Sequence, residues 1–123
     1  MFRLVKILNG RINVSEPLVM QVSALAAEIA EGTPVAIANG ACSAATGDVA
    51  VEYVTAAKAE KGATAVAVLL VTRDMIFEVD AISGAKVGNK YQITSTGVGT
   101  TAATTAGATV IETTTDYALV RLA

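Results

Sequence analysis

The stretch from Thr64 to Asp80, TAVAVLLVTRDMIFEVD, constrains the fold more than any other part of this sequence. Its first half, Ala65–Val71, is wholly apolar and rich in valine, which predicts a strand buried on both faces; periodicity alone leaves a buried helix open. Its second half, Met75–Asp80, has Met75, Phe77 and Val79 on one face and Glu78 and Asp80 with Ile76 on the other, which predicts a strand with one wet side. Because a single straight strand rarely exceeds ~10 residues, we expect a bend, bulge or short turn at Thr72-Arg73-Asp74.

The acidic side of this stretch is the first candidate for chemistry. Asp74, Glu78 and Asp80 lie close together in the sequence, and carboxylate oxygens are the ligands that hard cations prefer. The alternating pattern offers a simpler interpretation, the solvated face of a half-buried strand, and we favour it. Asp48, which follows Thr46-Gly47, is interpreted in the same way as a turn residue.

Composition narrows the class of protein. The chain has 123 residues, enough for one domain with a single core, and only 4% of them are aromatic. The nine basic residues are scattered and the net charge is −2, which argues against nucleic acid as a partner. The longest predominantly apolar run, Ala63–Val71, is far shorter than the ~20 residues that span a bilayer, so we expect no membrane partner. The single cysteine, Cys42, favours folding in a reducing cytoplasm.

The residue types of common catalytic and metal sites are scarce. The chain has no histidine and one cysteine, which argues against Ser-His pairs, Cys-His pairs and typical zinc sites but leaves Ser-Lys and carboxylate chemistry open. Cys42 is interpreted as a small buried side chain. Gly97-Val98-Gly99 lacks the third glycine and the following helix of a dinucleotide-binding loop, and is interpreted as a turn. We therefore expect a protein that is not an enzyme, with no catalytic residue, no metal ligand and no cofactor.

Residues 17–31 allow two interpretations. Five apolar residues recur there at helical spacing, and Gly32 follows as a stop signal; they are Leu18, Val22, Leu25, Ala26 and Ile29. The competing interpretation is one strand at Leu18–Val22 and another near Ala26–Ile29. The local pattern slightly favours one short helix.

The rest of the chain predicts short strands between frequent turn signals. Asn39-Gly40 predicts a tight type I′ hairpin, and Ala108–Glu112 with Tyr117–Leu122 predicts a closing hairpin. Strands spaced by roughly 8–12 residues predict a mainly β fold, a compact antiparallel β-sandwich or small β-barrel. We divide the chain into an extended N-terminal arm, residues 1–14, and a single β domain, residues 15–123. The arm is either an edge strand of the domain or a segment that lies on a neighbour.

Several segments resemble a pattern in small virion proteins of tailed bacteriophages. Met75–Glu78 matches "hydrophobic-phenylalanine-acid" in that pattern, and Val87–Lys90 matches "valine-glycine-x-lysine". The opening, RLVKILNGRINVSEP, and the Thr/Ala-rich stretch that leads to VIETT are similar to it as well. Within this group the chain resembles head decoration proteins, which stabilise the capsid. The resemblance favours strands over a helix in residues 17–31.

The resemblance implies a non-enzymatic protein that binds the outside of an assembled shell of major capsid protein, often as a trimer. The chain would then lie on the capsid surface of the virion, after assembly in the host cytoplasm. A tail-associated or other virion subunit is one alternative, and a small β-barrel module that binds a ligand or cation is another. The predicted interface combines the apolar and basic residues of the arm with one arginine at the bend. These residues are Phe2, Arg3, Leu4, Val5, Lys6, Ile7 and Arg73.

Overall fold

A computed structural model describes residues 1–7 and 17–122, with only the backbone of Lys6. This part of the chain forms eleven strands in two antiparallel sheets and contains no helix. The strands are β1 Arg3–Ile7, β2 Leu18–Gln21, β3 Pro34–Ala38, β4 Ala41–Ala44, β5 Tyr53–Thr55, β6 Ala65–Leu70, β7 Met75–Asp80, β8 Lys90–Ile93, β9 Val98–Ala102, β10 Ala108–Thr113 and β11 Tyr117–Arg121.

The two sheets are open, and both are antiparallel throughout. Sheet A has six strands in the order β1-β7-β11-β10-β8-β9, and sheet B has five in the order β2-β6-β5-β3-β4. The predicted mainly β, antiparallel fold is confirmed, and the arrangement is compatible with a β-sandwich. The alternative of a closed small barrel is wrong, because each sheet ends in two unpaired edge strands among the described residues.

The junction inside Thr64–Asp80 is where the chain passes from one sheet to the other. Strand β6 ends at Leu70 in sheet B, and β7 begins at Met75 in sheet A. The turn at Arg73–Asp74 between them is closed by a bond from the Met75 N–H to the Thr72 carbonyl, 3.2 Å long. The predicted break at these residues is therefore confirmed.

The burial of β6 differs from the prediction. Val66 and Val68 are buried, but the alternate residues are only half-buried and Leu70 is 48% exposed. Val66 and Val68 belong to a core cluster that also contains Val22 and Leu25. The prediction of a strand buried on both faces is wrong, because the face of Ala65, Ala67 and Leu69 is only half-buried and the other face becomes exposed at Leu70.

The main core lies between the sheets and is anchored by Phe77 of β7. Phe77 is fully buried, and its ring meets that of Phe2 edge to face with centroids 6.2 Å apart. Val54 of β5 belongs to the same cluster, so the sheets meet at this strand. Removing side chains of this size from water contributes roughly 1.5–3 kcal/mol each, which makes the cluster the main source of stability.

Residues 17–31 are extended, so the locally favoured helix is wrong and the strand interpretation is correct for β2. After β2, the Val22 N–H donates to the Thr64 carbonyl at 2.9 Å and the Leu25 N–H to the Ala63 carbonyl at 3.0 Å. Ile29 forms an isolated bridge with Ala59. These residues form backbone bonds to a distant segment and not the i to i−4 bonds of a helix. The extended conformation is favoured because it buries Val22 and Leu25 against sheet B.

Both predicted hairpins are confirmed. Asn39 and Gly40 have φ angles of 53° and 76°, as a type I′ turn requires, and join β3 to β4. Strands β10 and β11 pair around the turn that follows Thr113, with the Thr114 hydroxyl accepting from the backbone N–H groups of Asp116 and Tyr117.

The N-terminal residues form the edge of sheet A. Strand β1 pairs with β7, and its register shifts between Leu4 and Lys6. Of the two interpretations of the arm, the edge strand is therefore the one that the fold contains. The predicted boundary at residue 14 lies outside the described residues.

Candidate interaction surfaces

The predicted interface residues of β1 fall on both sides of the sheet. Phe2 is only 3% exposed and lies in the main core, so its side chain is not available to a partner, and Leu4 and Ile7 pack half-buried against the same cluster. Val5 is 42% exposed. The side chain of Lys6 lies outside the described part of the chain. The prediction of an apolar anchor surface along β1 thus reduces to Val5, because the fold itself uses the other apolar residues.

The two arginines of the predicted interface lie far apart. Arg3 donates to the Glu78 carboxylate across the β1–β7 pair at 2.7 Å, in a pair that is largely open to solvent. An exposed pair of this kind is worth at most about 1 kcal/mol, so it does little to hold β1 in place. Arg73 is exposed at the junction between the sheets, beyond the other end of β1.

The acidic residues of β7 do not form one cluster. Asp74, predicted on the wet face, is buried at the turn and its carboxylate accepts a hydrogen bond from the Thr72 hydroxyl. Glu78 is held by Arg3, while Asp80 is exposed. Within residues 1–7 and 17–122, no three His, Cys, Asp or Glu residues are arranged to hold a metal ion.

Asp48 has a structural role that its sequence context did not predict. Its carboxylate accepts hydrogen bonds from the backbone N–H groups of Thr104, Thr105 and Ala106 and from the Thr104 hydroxyl, at 2.7–3.3 Å. These bonds, the one from Ala106 first, lower the pKa of Asp48 to about 2. The carboxylate ties the loop between β9 and β10 to the loop after β4. No local pattern reveals this contact, because its partners are more than fifty residues away.

The cysteine and the grooves offer little for chemistry. Cys42 lies on β4, and burial raises the pKa of its thiol, which disfavours the reactive thiolate. A groove of about 430 Å³ lies where Phe2 and Leu4 meet Val54 and Leu69, and the charged side chains at its walls include the paired Arg3 and Glu78. This groove lies at the seam between the sheets.

The most distinctive surface of the described residues is the free side of sheet B, here termed the β2 edge and formed by β2 with the exposed end of β6. Three large apolar side chains are exposed there: Leu18 45%, Val19 69% and Leu70 48%. No Asp, Glu, Lys or Arg occurs in residues 17–27 or 62–72. The β2 edge is therefore both apolar and uncharged.

Two of the three other sheet edges among the described residues carry features that discourage pairing. Strand β1 has two basic residues and an irregular register, and β9 pairs irregularly with β8. Strand β4 is uncharged but has only small side chains. Proteins protect edge strands with charges, prolines and bulges, because open N–H and C=O groups recruit other strands. In β2 the sole device of this kind is Pro17, immediately before the strand.

Comparison with protein-family models found no match, and a search of curated proteins found no relative. The described residues contain no helix that could cross a membrane. The function therefore has to be argued from the surfaces and from the sequence resemblance.

Proposed function

We propose that this chain is a non-enzymatic structural subunit of a tailed-phage virion, bound to the outside of the capsid shell and stabilising it. The observation that carries the proposal is the β2 edge, an open strand with exposed Leu18 and Val19 and no charged residue in 17–27 or 62–72. Such an edge is suited to assembly with another protein chain. The resemblance to head decoration proteins supplies the setting of this assembly, a shell of major capsid protein to which such subunits bind.

The segments that carry the resemblance lie at positions that build the scaffold. Phe77, in the segment Met75–Glu78, is fully buried. Gly88, in the segment Val87–Lys90, has a φ of 89° and donates its N–H to the Val110 carbonyl at 2.8 Å, which fixes the approach to β8. The residues that carry the resemblance are therefore ones that maintain the fold. They support a proposal about the class of protein, a virion structural subunit.

The physical requirements of decoration are compatible with this molecule. A shell presents the same binding site many times, so contacts that are weak singly give durable attachment when neighbouring subunits also touch one another. Burying exposed apolar side chains contributes about 25 cal/mol per Å². A stable β scaffold with open edges meets these needs without any catalytic group.

The shell contact is assigned to residues that do not belong to the β2 edge. Val5 is the exposed apolar residue of β1, and Arg73 extends from the inter-sheet turn, where an acidic patch of the shell would attract it. Arg3 contributes less in this proposal, because Glu78 already neutralises it.

Co-sedimentation with capsids tests the proposal. Purified heads without accessory proteins, from a tailed phage that encodes this chain, are mixed with the protein and pelleted. We expect saturable binding by the wild type and at least about tenfold weaker binding by the double variant Val5→Glu, Arg73→Glu, a loss of about 1.4 kcal/mol. Val87→Glu is the matched control, since Val87 is 61% exposed on a loop outside both surfaces and should bind normally.

Wild-type protein that stays in the supernatant at every concentration would contradict the capsid role. Pelleting with purified tails and not with heads would instead support the alternative of a tail-associated subunit.

A further inference from the structure

We propose that the β2 edge pairs with the β2 edge of a second copy of this chain, antiparallel and about a two-fold axis at Val19. Sheet B would then continue from one protomer into its partner. The inference rests on the proposed function, because assembly on a capsid is the setting in which two copies would pair. It identifies a second copy of the chain as the partner of the β2 edge.

The backbone of β2 directs unpaired groups away from the sheet. The Val22 N–H bonds to the Thr64 carbonyl, and the register continues through Met20 opposite Val66 and Leu18 opposite Val68. In an antiparallel ladder the bonded pairs alternate, so Val19 and Gln21 turn their N–H and C=O groups outward.

A second bond agrees with this direction. The Ala67 carbonyl, opposite Val19, accepts from the Ala56 N–H on the far side of β6 at 2.8 Å. Ala67 therefore uses its carbonyl on the side of β6 away from β2, as the alternation requires. Among the described residues no strand pairs with the outer side of β2.

Charge selects an identical strand as the occupant. A strand that carried charges would find no opposite charge in residues 17–27 or 62–72. Two copies of β2, by contrast, meet without like-charge repulsion, which is the usual cost of placing identical surfaces together. The β1 edge, with Arg3 and Lys6, would carry that cost.

The side chains fix the register. An antiparallel two-fold pair joins residues on the same face of the sheet, so the axis passes through Val19 or Met20. The axis at Val19 places Leu18 against Met20 of the partner subunit and Val19 against its own counterpart. The axis at Met20 would place Val19 against a glutamine. The Val19 register pairs apolar with apolar residues from Leu18 to Met20 and leaves each Gln21 at the end of the ladder, opposite Pro17 of the partner subunit.

The pairing also joins two apolar patches. Leu70 lies diagonally across β6 from Leu18 on the same face, since Leu18 is opposite Val68. Diagonal neighbours of this kind are ~7–8 Å apart, within reach of large side chains. A two-fold pair therefore brings the Leu18 and Leu70 side chains of both protomers into one strip.

Disulfide trapping at the axis tests the register. In a Cys42→Ala background, Val19→Cys places two thiols at a pair whose Cα atoms should lie about 5.5 Å apart, within the range that a disulfide bridges. We expect mild oxidation to give a covalent dimer at least about tenfold faster than in Val87→Cys, the control with a similarly exposed valine on a loop.

Light scattering supplies an independent readout. Wild type and Val87→Lys should have the mass of a dimer, and Val19→Lys that of a monomer with an unchanged circular dichroism spectrum. A wild-type monomer, a trimer that Val19→Lys leaves intact, or equal trapping rates at positions 19 and 87 would each overturn the pairing. Capsid binding is measured separately by sedimentation of the wild type, so the failure of either proposal can be recognised without the other.

Discussion

Gly32 is one of two described glycines, with Gly107, that combine a positive φ with backbone in close contact, so the fold should tolerate its replacement poorly. It has a φ of 78°, and a Cβ built there would lie 2.4 Å from the Phe2 carbonyl oxygen. The Phe2 N–H in turn donates to the Gly32 carbonyl at 2.8 Å. The two backbones are therefore in direct contact where the N-terminal residues enter the core.

Comparing the losses of unfolding free energy in Gly32→Ala and Gly62→Ala should separate the cost of a strained φ angle from the cost of steric overlap. Gly62 also has a positive φ, 86°, but open space around it, so Gly62→Ala should cost only the conformational penalty of roughly 1–2 kcal/mol. Gly32→Ala should cost a further 1–3 kcal/mol or so, because the Phe2 backbone must move. Urea unfolding measures both, and equal losses would contradict the predicted contact.

A second set of residues fixes the same region through buried hydroxyls. The Thr55 hydroxyl accepts from the Thr33 N–H at 2.9 Å and donates to the Ala30 carbonyl at 2.8 Å, and the Thr33 hydroxyl donates to the same carbonyl. Sequence reasoning did not find this contact, because threonine is abundant and nothing local marks one that is buried.

Replacing Thr55 by valine keeps its shape and removes the hydroxyl. We expect a loss of about 1–3 kcal/mol of unfolding free energy, because the buried Thr33 N–H loses its partner. Thr55→Ser keeps the hydroxyl and should retain the hydrogen bonds, losing only the packing of a methyl group. If thermal and urea unfolding show that Thr55→Ser is less stable than Thr55→Val, the hydrogen bonds do not determine stability at this position.

At the scale of elements, the sequence predicted the turns and strand breaks that depend on neighbouring residues alone. The Asn39-Gly40 hairpin follows from the φ angles that these two residues accept, and the break at Thr72-Arg73-Asp74 follows from strand length. The helical spacing of residues 17–31 misleads because their backbone bonds to distant residues, chiefly 59–68, and local spacing does not contain that information.

The link between the loop after β4 and the loop between β9 and β10 should depend on pH. The pKa of Asp48 is lowered to about 2 from a model-peptide value of 3.8. A lowered pKa in the folded state stabilises the fold fully above the unfolded value, and this stability is lost as the pH falls towards 2.

Asp48→Asn should therefore lower the melting temperature most at neutral pH. The difference from wild type should narrow between about pH 4 and pH 2, as the wild-type carboxylate becomes protonated. Asp116→Asn, an exposed turn residue, is the control. A difference that stays constant from pH 7 to pH 2 would show that the charge of Asp48 does not stabilise these loops.

At the scale of the whole molecule, the sequence predicted the class of fold but not its edges. Alternation identifies strands, while the order of strands in a sheet depends on long-range pairing that no local pattern specifies. For this reason the sequence predicts an interface on Phe2–Ile7 and Arg73, although the apolar residues of Phe2–Ile7 largely serve the core. The sequence pattern does not mark β2 as an exposed edge, because Leu18 also fits the helical spacing of residues 17–31.

The proposals assign different roles to different surfaces of one subunit. In our account, the β2 edge of sheet B joins two copies of the chain, and the Val5 and Arg73 region faces the shell. The fold at the centre, around Phe77, supplies the rigidity on which both contacts depend.

Direct imaging of particles tests the central claim, that the chain is a capsid-bound structural subunit. The protein is tagged at an exposed loop position, such as Val87, and is added to heads until they are saturated. These heads are compared by electron microscopy with untreated heads from the same preparation. Our account predicts additional, regularly repeated density on the outer surface of the head. Density confined to the tail, or none on the particle, would contradict it.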